Sequence, residues 1–542
     1  MISLDFITLK AFFEENKEFF CGARVQKIQQ PTRRDFVLSI RGKQETKKLY
    51  INIDPQVYHL CFINEETAKK RHITIPQKPP MFCMLLRKHL EGFRITRVNV
   101  PPYERIFEIF FESYNELNEK INLCLAIELM GKYSNVILYN DSTKTIIGCA
   151  HNVGSEKSRD RELSGTMPYV YPPKQNKSDF LTYFGEIHYD CLNDDFRGIS
   201  KSFQELLKNK NVQLETIKDY LELKRPITPA IQNNIYSIYQ ELLDEPNIQT
   251  SVNTMIDNYY SSLQAEIIKK ALKLKLRNII QPKLKKSKNS KQKIQYQINK
   301  KDNAEKYKNY ADLIIGNLYN NKDYSSSITV LDWNTNEELK IKLDNTKTLK
   351  ENATMYYQLY TKSKDSKEKL IQLENELSLQ TEYLEQILYT IDNADSISTL
   401  FEILSECEDV GLTHSSNKTK SKTKDINIEE TNINGFKVYI GKNNKQNDLI
   451  ISKISSPDDY WFHSQNCPGS HILLKITDNN EPDDKTIYEC AKLAKKYSTA
   501  SKSTKIGIIY TKRRYIKKPP KANLGYVIYK NEKEIIVSDN LD

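Results

Sequence analysis

Short apolar runs separated by polar turns dominate the first third of the chain. Residues 4–16 place apolar side chains at helical spacing, which predicts an amphipathic helix. Strand-like runs follow, and residues 79–95 form a second helical pattern that two prolines open and Gly92 closes. Further runs of strand character continue to about residue 150. This arrangement predicts a compact α+β domain over residues 1–175.

The next segment, residues 176–257, carries mostly helical patterns. Within it, the stretch FRGISKSFQELLKN places a Gly-Ile-Ser turn directly before a helix, which resembles a helix-hairpin-helix element. Such elements bind backbone phosphates, but an ordinary helix start accounts for the same residues. The pattern therefore predicts a helical domain and leaves the role of its turn open.

A long arm is predicted over residues 258–412. The pattern predicts one long helix over 258–310 and a second over 349–393, with a small helix and a hairpin in an insert at about 311–348. Seven positions on the second helix alternate spacings of three and four, as in a coiled-coil seam. They are Leu370, Leu373, Leu377, Gln380, Leu384, Ile387 and Ile391. Two long helices around a short insert predict an antiparallel hairpin with a tip.

The C-terminal fifth of the chain follows a polar segment of low complexity. Residues 413–432 are predicted to be a flexible linker. Beyond it, strand-like runs surround one amphipathic helix, TIYECAKLAKKYSTA, which predicts an α/β domain over 433–542. The fold class predicted for the whole chain is thus α+β and multidomain.

The net charge favours an acidic partner, either nucleic acid or an acidic membrane surface, and does not by itself choose between them. The formal net charge is +11, and residues 261–300 hold twelve Lys or Arg against one acid. Residues 501–521 add eight Lys or Arg with no acid, and tyrosines lie among them. Lysine and arginine neutralise phosphates, and aromatic rings can stack on unpaired bases. Two such runs in separate domains predict an RNA or ribonucleoprotein partner.

Apolar runs and cysteines bear on the compartment. No apolar run approaches the length of about 20 residues that spans a bilayer, and the N-terminus lacks signal-peptide character. The nine cysteines form no CxxC pair and are irregularly spaced. We therefore expect reduced thiols, a cytoplasmic location and no membrane partner.

The segment DYWFHSQNCPGSHILLK, residues 459–475, raises the question of metal or covalent chemistry. His463, Cys467 and His471 are spaced four apart, as zinc ligands on one helix face would be. Cys467 and His471 could also form a nucleophile and base. However, the Pro-Gly pair after Cys467 breaks any helix, and nothing nearby completes either site. We predict a turn between two strands, with no catalytic residue, metal or cofactor.

Four segments together resemble the NFACT family. They are PPMFCMLLRKHLEGFRI (79–95), IELMGKYSNVILYN (127–140), GFKVYIGKNNKQNDLI (435–450) and DYWFHSQNCPGSHILLK (459–475). Their order matches the family's order of an NFACT-N domain, a helix-hairpin-helix domain, a coiled-coil arm and an NFACT-R domain. The resemblance extends over nearly the whole chain.

The resemblance implies a role in ribosome-associated quality control. Members bind large ribosomal subunits, rRNA and proteins alike, that are obstructed by peptidyl-tRNA. They recruit a tRNA, alanyl-tRNA in bacteria, and the nascent chain gains a C-terminal tail without mRNA. The ribosome's peptidyl-transferase centre forms the bond, so the protein itself would not be an enzyme. It would be cytoplasmic and ribosome-associated.

The resemblance also assigns candidate site residues. The family's Asp-Arg pair for tRNA recruitment and tailing is Glu104-Arg105 here, one methylene longer on the acid, and such contacts are sensitive to length. Arg87 and Lys88, in the first matched segment, are candidates for phosphate contact. The candidates in the RNA-binding domain are Asp459, Trp461, His463, His471, Lys512, Arg513, Arg514, Lys517 and Lys518.

Two other functions remain open at this point. One is a cell-surface adhesin that binds fibronectin, which the absence of a signal peptide and disulfide framework disfavours. The other is a protein like a DNA-repair glycosylase, because an N-terminal domain followed by a helix-hairpin-helix element is distantly similar to that class. Such an enzyme uses an N-terminal proline or a catalytic lysine in a pocket. The N-terminal sequence Met-Ile-Ser does not provide the proline, and the predicted coiled-coil arm has no use in such an enzyme.

Overall fold

The computed structural model describes most of the chain. The described residues are 4–114, 119–154, 156, 161–173, 175–300, 304–319, 323–413, 428–477, 480–520 and 522–538. They form two compact units, Met1–Ile267 and Ile268–Asp542. Most of the predicted linker, residues 414–427, lies outside the described residues. Within the described part of the chain, no helix is both long enough and apolar enough to cross a membrane.

The first unit combines a large sheet with short helices and the start of a long one. Its helices are α1 Phe6–Phe20, α2 Glu65–Lys70, α3 Met81–Leu90, α4 Leu192–Asp195, α5 Lys201–Asn209, α6 Leu214–Glu222 and α7 Val252–Lys300, the last continuing into the second unit. Its strands are β1 Arg24–Gln29, β2 Asp35–Arg41, β3 Thr46–Asn52, β4 His59–Ile63, β5 Arg94–Asn99, β6 Ile106–Tyr114, β7 Lys120–Glu128, β8 Asn135–Asn140, β9 Ile146–Cys149, β10 Ala230–Gln232, β11 Ile235–Ser237 and β12 Asn247–Ile248.

Nine of these strands form one antiparallel sheet in the order β4-β3-β2-β1-β5-β6-β7-β8-β9. Successive side chains of a strand point to opposite faces, and β6 shows the consequence. Phe107, Ile109 and Phe111 enter the main core beneath α1, whereas Ile106 and Phe110 enter a smaller core on the other face. The α+β prediction for this region is confirmed.

The main core also takes in side chains from the following helical region. Leu207 of α5, Ile217 of α6 and Tyr239 are buried in the same cluster as the sheet residues. Helix α5 begins where the sequence places it, because Ser200 caps it by accepting a hydrogen bond from the Phe203 N–H. Residues from the two predicted N-terminal domains therefore share one core within the first unit.

The smaller core contains two fully buried carboxylates. Arg161 forms a two-pronged ion pair with Glu128, whose carboxylate also accepts a hydrogen bond from the Tyr169 hydroxyl at 3.1 Å. Glu108 accepts from Tyr171 at 2.6 Å and from Asn99 at 2.7 Å. Burial raises the pKa of Glu128, although the Arg161 guanidinium opposes that shift. These partners compensate the desolvation of both carboxylates.

The root of α7 is fixed to the sheet by a buried ion pair. Arg71 contacts Asp257 at 2.5 Å, and their side chains are only 1% and 7% exposed. Arg71 also donates to the Gln264 side chain at 2.9 Å. At the sheet edge, Asn253 accepts from the Phe62 N–H at 2.6 Å and donates to the Phe62 carbonyl at 3.0 Å. Edge strand β4 is thus paired with a side chain of α7.

The second unit holds the rest of the arm and the C-terminal domain. Its helices are α8 Ala304–Gly316, α9 Leu349–Asn393, α10 Ile397–Asp409, α11 Asn444–Leu449 and α12 Asp484–Lys496, with a π-helical turn at Ile450–Ile454. Its strands are β13 Ser327–Leu331, β14 Glu338–Lys342, β15 Glu429–Ile433, β16 Phe436–Ile440, β17 Tyr460–Ser464, β18 Ile472–Leu474, β19 Lys505–Lys512, β20 Ile516–Lys517, β21 Ile528–Tyr529 and β22 Lys533–Ser538.

The arm is an antiparallel pair of helices, as predicted. Ion pairs join Arg277 to Asp392 and Lys288 to Glu385, so rising numbers on α7 meet falling numbers on α9. Helix α7 begins at Val252, before the predicted start, and runs through its proline. Helix α9 has the predicted bounds, and a capping box at Thr348 starts it.

The predicted seam on α9 is buried only near the root. Leu384, Ile387 and Ile391 pack against Leu276, Ile280 and Leu284 of α7 in one core cluster. Farther out, a hydrogen-bonded Ser287–Thr381 pair at 2.8 Å ends this apolar contact, and Leu373 is 44% exposed. In the outer half of the seam Leu370 and Leu377 are half-buried, whereas Leu373 and Gln380 are exposed, so that half is only partly covered by α7.

The C-terminal domain contains a six-stranded antiparallel sheet in the order β15-β16-β18-β17-β19-β22. On β17, Phe462 faces the core that α12 covers, and Trp461 faces a second core beside the π-helical turn. Helix α12 starts at an Asp483 cap and buries Cys490 and Ala494 against the sheet. The predicted strands and helix of this domain are present.

The ion pair at the arm root gives a stability prediction. Arg71→Ala is expected to lower the free energy of unfolding of the first unit by about 3–5 kcal/mol, because it leaves the buried Asp257 carboxylate without its counter-charge. Lys70→Ala removes an exposed pair with Glu66 and is the control, with an expected loss below about 1 kcal/mol. Pulse proteolysis in urea, with fragments assigned by mass spectrometry, measures both. Equal losses for the two variants would refute a special role for the buried pair.

Candidate nucleic-acid interface

The Glu104-Arg105 pair lies in a tight loop between β5 and β6. The Glu104 N–H donates to the Pro101 carbonyl at 3.1 Å, which closes the turn. Nη1 of Arg105 donates to the Tyr58 hydroxyl at 2.8 Å, and the guanidinium lies 5.7 Å from the centre of that ring. Both Glu104 and Arg105 are half-buried. The loop therefore presents a guanidinium whose direction is set by an aromatic neighbour.

Tyr103 anchors this loop from the other side. Its φ of 62° is in the left-handed region, which a large side chain adopts only when its surroundings enforce it. Its hydroxyl donates to Asp179 at 2.7 Å, and its ring lies 5.5 Å from that of Phe6. Burial and the neighbouring Asp179 carboxylate raise the pKa of Tyr103, so the hydroxyl stays a donor.

The Gly-Ile-Ser turn supports the same loop. A Cβ on Gly198 would lie 2.7 Å from the ring of Tyr103, and the residue has a φ of 78°. Ser200 not only caps α5 but also bonds to the Asp5 carboxylate at 3.1 Å. In this chain the turn packs against Tyr103 and α1, so its residues position the loop that carries Arg105.

A short turn beside Tyr58 adds exposed groups that the sequence did not single out. Residues 131–133 form a single 3₁₀ turn, and Gly131 approaches Tyr58, with its Cβ position 3.8 Å from the ring. Tyr133 is 66% exposed, and the Lys132 ammonium lies 4.8 Å from the centre of its ring. These two residues could have been selected from the motif IELMGKYSN, because its glycine favours a turn and is directly followed by a basic and an aromatic residue, types of side chain that bind RNA.

Arg87 and Lys88 lie on α3 and differ in exposure. Arg87 donates through Nε to the Ile28 carbonyl at 2.8 Å, which ties α3 to β1. Lys88 is exposed. Of the two, the structure leaves Lys88 better placed to meet a phosphate.

In the C-terminal domain, Asp459 is wholly buried. Its carboxylate accepts from the Ser456 N–H at 2.6 Å and the Ile476 N–H at 2.9 Å, and it pairs with Lys475 at 3.0 Å. Because all three donors are protein groups, this carboxylate stabilises the backbone around β17 and β18. Asp459 thus shapes the domain.

Trp461, His463 and His471 form an aromatic cluster in which Trp461 and His471 are buried and His463 is half-buried. The rings of Trp461 and His463 are parallel, 5.7 Å apart, and His471 lies edge-on to both at 5.2 and 5.4 Å. Burial lowers the pKa of both histidines, so both are neutral at physiological pH. Within the described ranges, no group of three or more His, Cys, Asp or Glu side chains could hold a metal ion.

The basic segment divides into inward and outward residues. The Arg513 guanidinium donates to the carbonyl of Ile451 at 3.0 Å and to that of Ile516 at 3.0 Å, and burial lowers its pKa. It therefore closes the end of the π-helical turn. Lys517 is exposed, and Tyr515 beside it is 41% exposed.

Three further cations of this segment have acidic partners from distant parts of the domain. Lys512 pairs with Glu481 at 2.6 Å and lies 5.2 Å from the ring centre of Tyr460. The other two pairs join Arg514 to Asp458 and Lys518 to Asp448. The effective positive charge of the segment is consequently smaller than its composition indicates.

Comparison with known families assigns the chain. Residues 5–425 match the NFACT N-terminal and middle domains, and residues 427–531 match the NFACT protein RNA binding domain. The two matches cover most of the sequence in the order that the motifs indicate. The chain belongs to the NFACT family, and the resemblance drawn from its four motifs is confirmed.

Individual relatives are similar along the whole length. The Rqc2 homolog RqcH of Bacillus subtilis (strain 168) is 28% identical, with 100% of this chain and 99% of the relative covered. The Rqc2 homolog RqcH of Streptococcus suis (strain 05ZYH33) is 26% identical over 96% and 95%. Among solved structures, the N-terminal part of the fibronectin/fibrinogen-binding protein from Streptococcus suis is 25% identical over 48% of this chain and 100% of that one, with a TM-score of 0.43.

The outward residue Lys517 and the inward residue Arg513 are expected to differ in their effects on RNA binding and on stability. Lys517→Ala is expected to weaken RNA binding and to reduce the slope of log K against log salt by about 0.7, without changing stability. Arg513→Ala is expected to destabilise the domain by about 1–3 kcal/mol, because buried carbonyls lose a charged donor. Anisotropy titrations with a single-stranded RNA and thermal unfolding followed by Trp461 fluorescence, in a Trp333→Phe background, measure the two effects. The reverse pattern would contradict the division into inward and outward residues.

Proposed function

We propose that this protein is a ribosome-associated quality control factor that recruits tRNA to obstructed large ribosomal subunits. In this proposal it binds subunits that still carry peptidyl-tRNA, and it selects a tRNA, alanyl-tRNA in the bacterial case. The nascent chain is then extended at its C-terminus without mRNA. The observation that carries the proposal is the end-to-end similarity to RqcH relatives, combined with an Arg105 loop built for a polar ligand.

The Arg105 loop supports tRNA recognition on chemical grounds. A guanidinium offers five N–H donors in a fixed plane, and only part of that set is used on Tyr58. Lys132 and Tyr133 follow Gly131, which approaches the same tyrosine, so this turn adds an ammonium for a phosphate and an exposed ring for an unpaired base. Such a set suits a folded RNA with splayed bases better than a continuous duplex.

The arm supports contact with rRNA. Its α7 helix turns Leu276, Ile280 and Leu284 toward α9, while Lys275, Lys283, Lys286 and Lys293 are exposed. The small tip exposes aromatic rings, including Trp333 at 63% and Tyr324 at 63%. Exposed lysines along a long helix neutralise phosphates over a distance that a globular domain does not reach.

Peptide bond formation would be left to the ribosome. In this proposal the chain contributes selection and placement of a tRNA, and it needs no nucleophile, metal or cofactor of its own. Proximity at the peptidyl-transferase centre is then the whole of its contribution to the rate.

The central test removes the Glu104-Arg105 pair. The double variant Glu104→Ala with Arg105→Ala is expected to abolish tail synthesis, a loss of at least about a hundredfold, while large-subunit binding persists through the arm and the C-terminal domain. Tail length on a stalled reporter and cosedimentation with large subunits measure the two activities. Arg105→Lys keeps the charge but loses the planar fork, so it is expected to fall between the double variant and the unaltered protein.

A matched control removes an exposed charge pair elsewhere on the same unit. Glu66→Ala with Lys70→Ala deletes one acid and one base on α2 and should leave both measurements unchanged. If the Glu104/Arg105 double variant still made tails of ordinary length, the proposed role of this loop in tRNA recruitment would be wrong. Loss of large-subunit binding in that variant would show that the loop serves the ribosome rather than the tRNA.

A further inference from the structure

The turn of the DYWFHSQNCPGSH segment is paired with the arm. Gln386 of α9 donates through Nε2 to the Gly469 carbonyl at 2.8 Å, and its Oε1 accepts from the Gly469 N–H at 2.9 Å. One carboxamide thus satisfies both backbone polar groups of Gly469, as a residue of a neighbouring strand would. A Cβ at Gly469 would lie 2.6 Å from Ser464 Oγ, 3.2 Å from Ser498 Cβ and 3.3 Å from the Tyr497 carbonyl, so a larger residue fits there only if these neighbours shift.

A second loop of the domain is paired with α10. Glu402 accepts from Asn443 at 2.7 Å and from Gln446 at 3.0 Å. Glu406, which is 1% exposed, accepts from Asn444 at 2.8 Å and from Tyr383 at 2.6 Å. Burial raises the pKa of Glu406, and these donors offset part of its desolvation.

The two loops are joined to each other. The His471 N–H donates to the Asn447 side chain at 3.0 Å, and the Gly441 N–H donates to the His471 carbonyl at 3.0 Å. We name residues 441–447 and 464–471 together the arm-docking surface. Its polar side chains Asn443, Asn444, Gln446 and Asn447 are all buried. Buried amides with assigned partners fix one geometry rather than a range of them.

We infer that the arm-docking surface is a positioning interface, which holds the RNA-binding domain in one orientation on the root of the arm. The motifs that contain its two loops, residues 435–450 and 459–475, then do not contact RNA themselves. Gln386, Glu402 and Glu406 are the positioning residues on the arm side. RNA contact then falls to outward groups of the domain such as Lys517. The expected effect of this docking on ribosome binding rests on the proposed function, whereas the docking of the domain on the arm does not.

The docking is tested in the full-length chain by hydrogen exchange. In Gln386→Ala, the amide of Gly469 is expected to exchange at least about tenfold faster, because its acceptor is gone, while amides of β17 and β19 keep their protection. Gln386→Glu keeps an acceptor for that N–H and should restore most of the protection. Gln380→Ala, an exposed glutamine on the same helix, is the control and should leave Gly469 unchanged.

A second readout separates positioning from direct contact. For Gln386→Ala, affinity for free tRNA is expected to stay within about twofold, whereas affinity for obstructed large subunits falls by about tenfold, because only a multi-point contact depends on orientation. Unchanged exchange at Gly469 would overturn the docking. An equal fall in tRNA and subunit affinity would also overturn the inference, since it would place the motif on RNA. If the unaltered protein bound neither partner, the proposed function would fail while the exchange result still decided the docking.

Discussion

The pairing of buried polar groups where the arm meets its neighbours is the constraint on which the rest of the structure depends. An unpaired buried charge or amide costs more free energy than most single contacts supply, so each junction has to be satisfied in one arrangement. In the first unit, Arg71 and Asp257 hold the start of α7 beneath the sheet. In the second, Gln386 and two glutamates hold the C-terminal domain on α9 and α10. Each junction is therefore fixed within its own unit by groups that the buried environment leaves no other way to satisfy.

The same constraint explains why the two conspicuous motifs of the C-terminal domain lie inside it. His463, Cys467 and His471 suggested chemistry by residue type, but both histidine rings pack against Trp461 and the His471 N–H donates to Asn447. Gly469, between Cys467 and His471, is paired with Gln386 of the arm. The loop that bears Arg105 shows the opposite arrangement, because Tyr103, Gly198 and Tyr58 brace it while the pair itself stays half exposed. A loop is preorganised for a ligand when buried neighbours fix its backbone and leave a functional side chain partly exposed.

Periodicity predicted the elements well, because it reports which face of an element is buried. Helix α9 has its predicted bounds, and most strands of both sheets fall on the expected runs, although β15 begins inside the predicted linker and β5 was not predicted as a strand. Side-chain direction within a basic run was not predictable. Arg513 turns inward to carbonyls, and Arg514, Lys512 and Lys518 meet acids that lie 31 to 70 positions away in sequence. Those partners come together only when the sheet forms, so a count of charges overestimates the surface that RNA can meet. The Glu104-Arg105 pair could be located only through family resemblance, since nothing in its local pattern distinguishes it.

Recruitment of tRNA to large ribosomal subunits is best tested by recovering the tagged full-length protein from cells and sequencing all of the RNA that it binds. We expect large-subunit rRNA in excess over small-subunit rRNA, together with strong enrichment of one tRNA species. Large-subunit rRNA without tRNA enrichment, or equal recovery of rRNA from both subunits, would contradict a factor that recruits tRNA to obstructed large subunits.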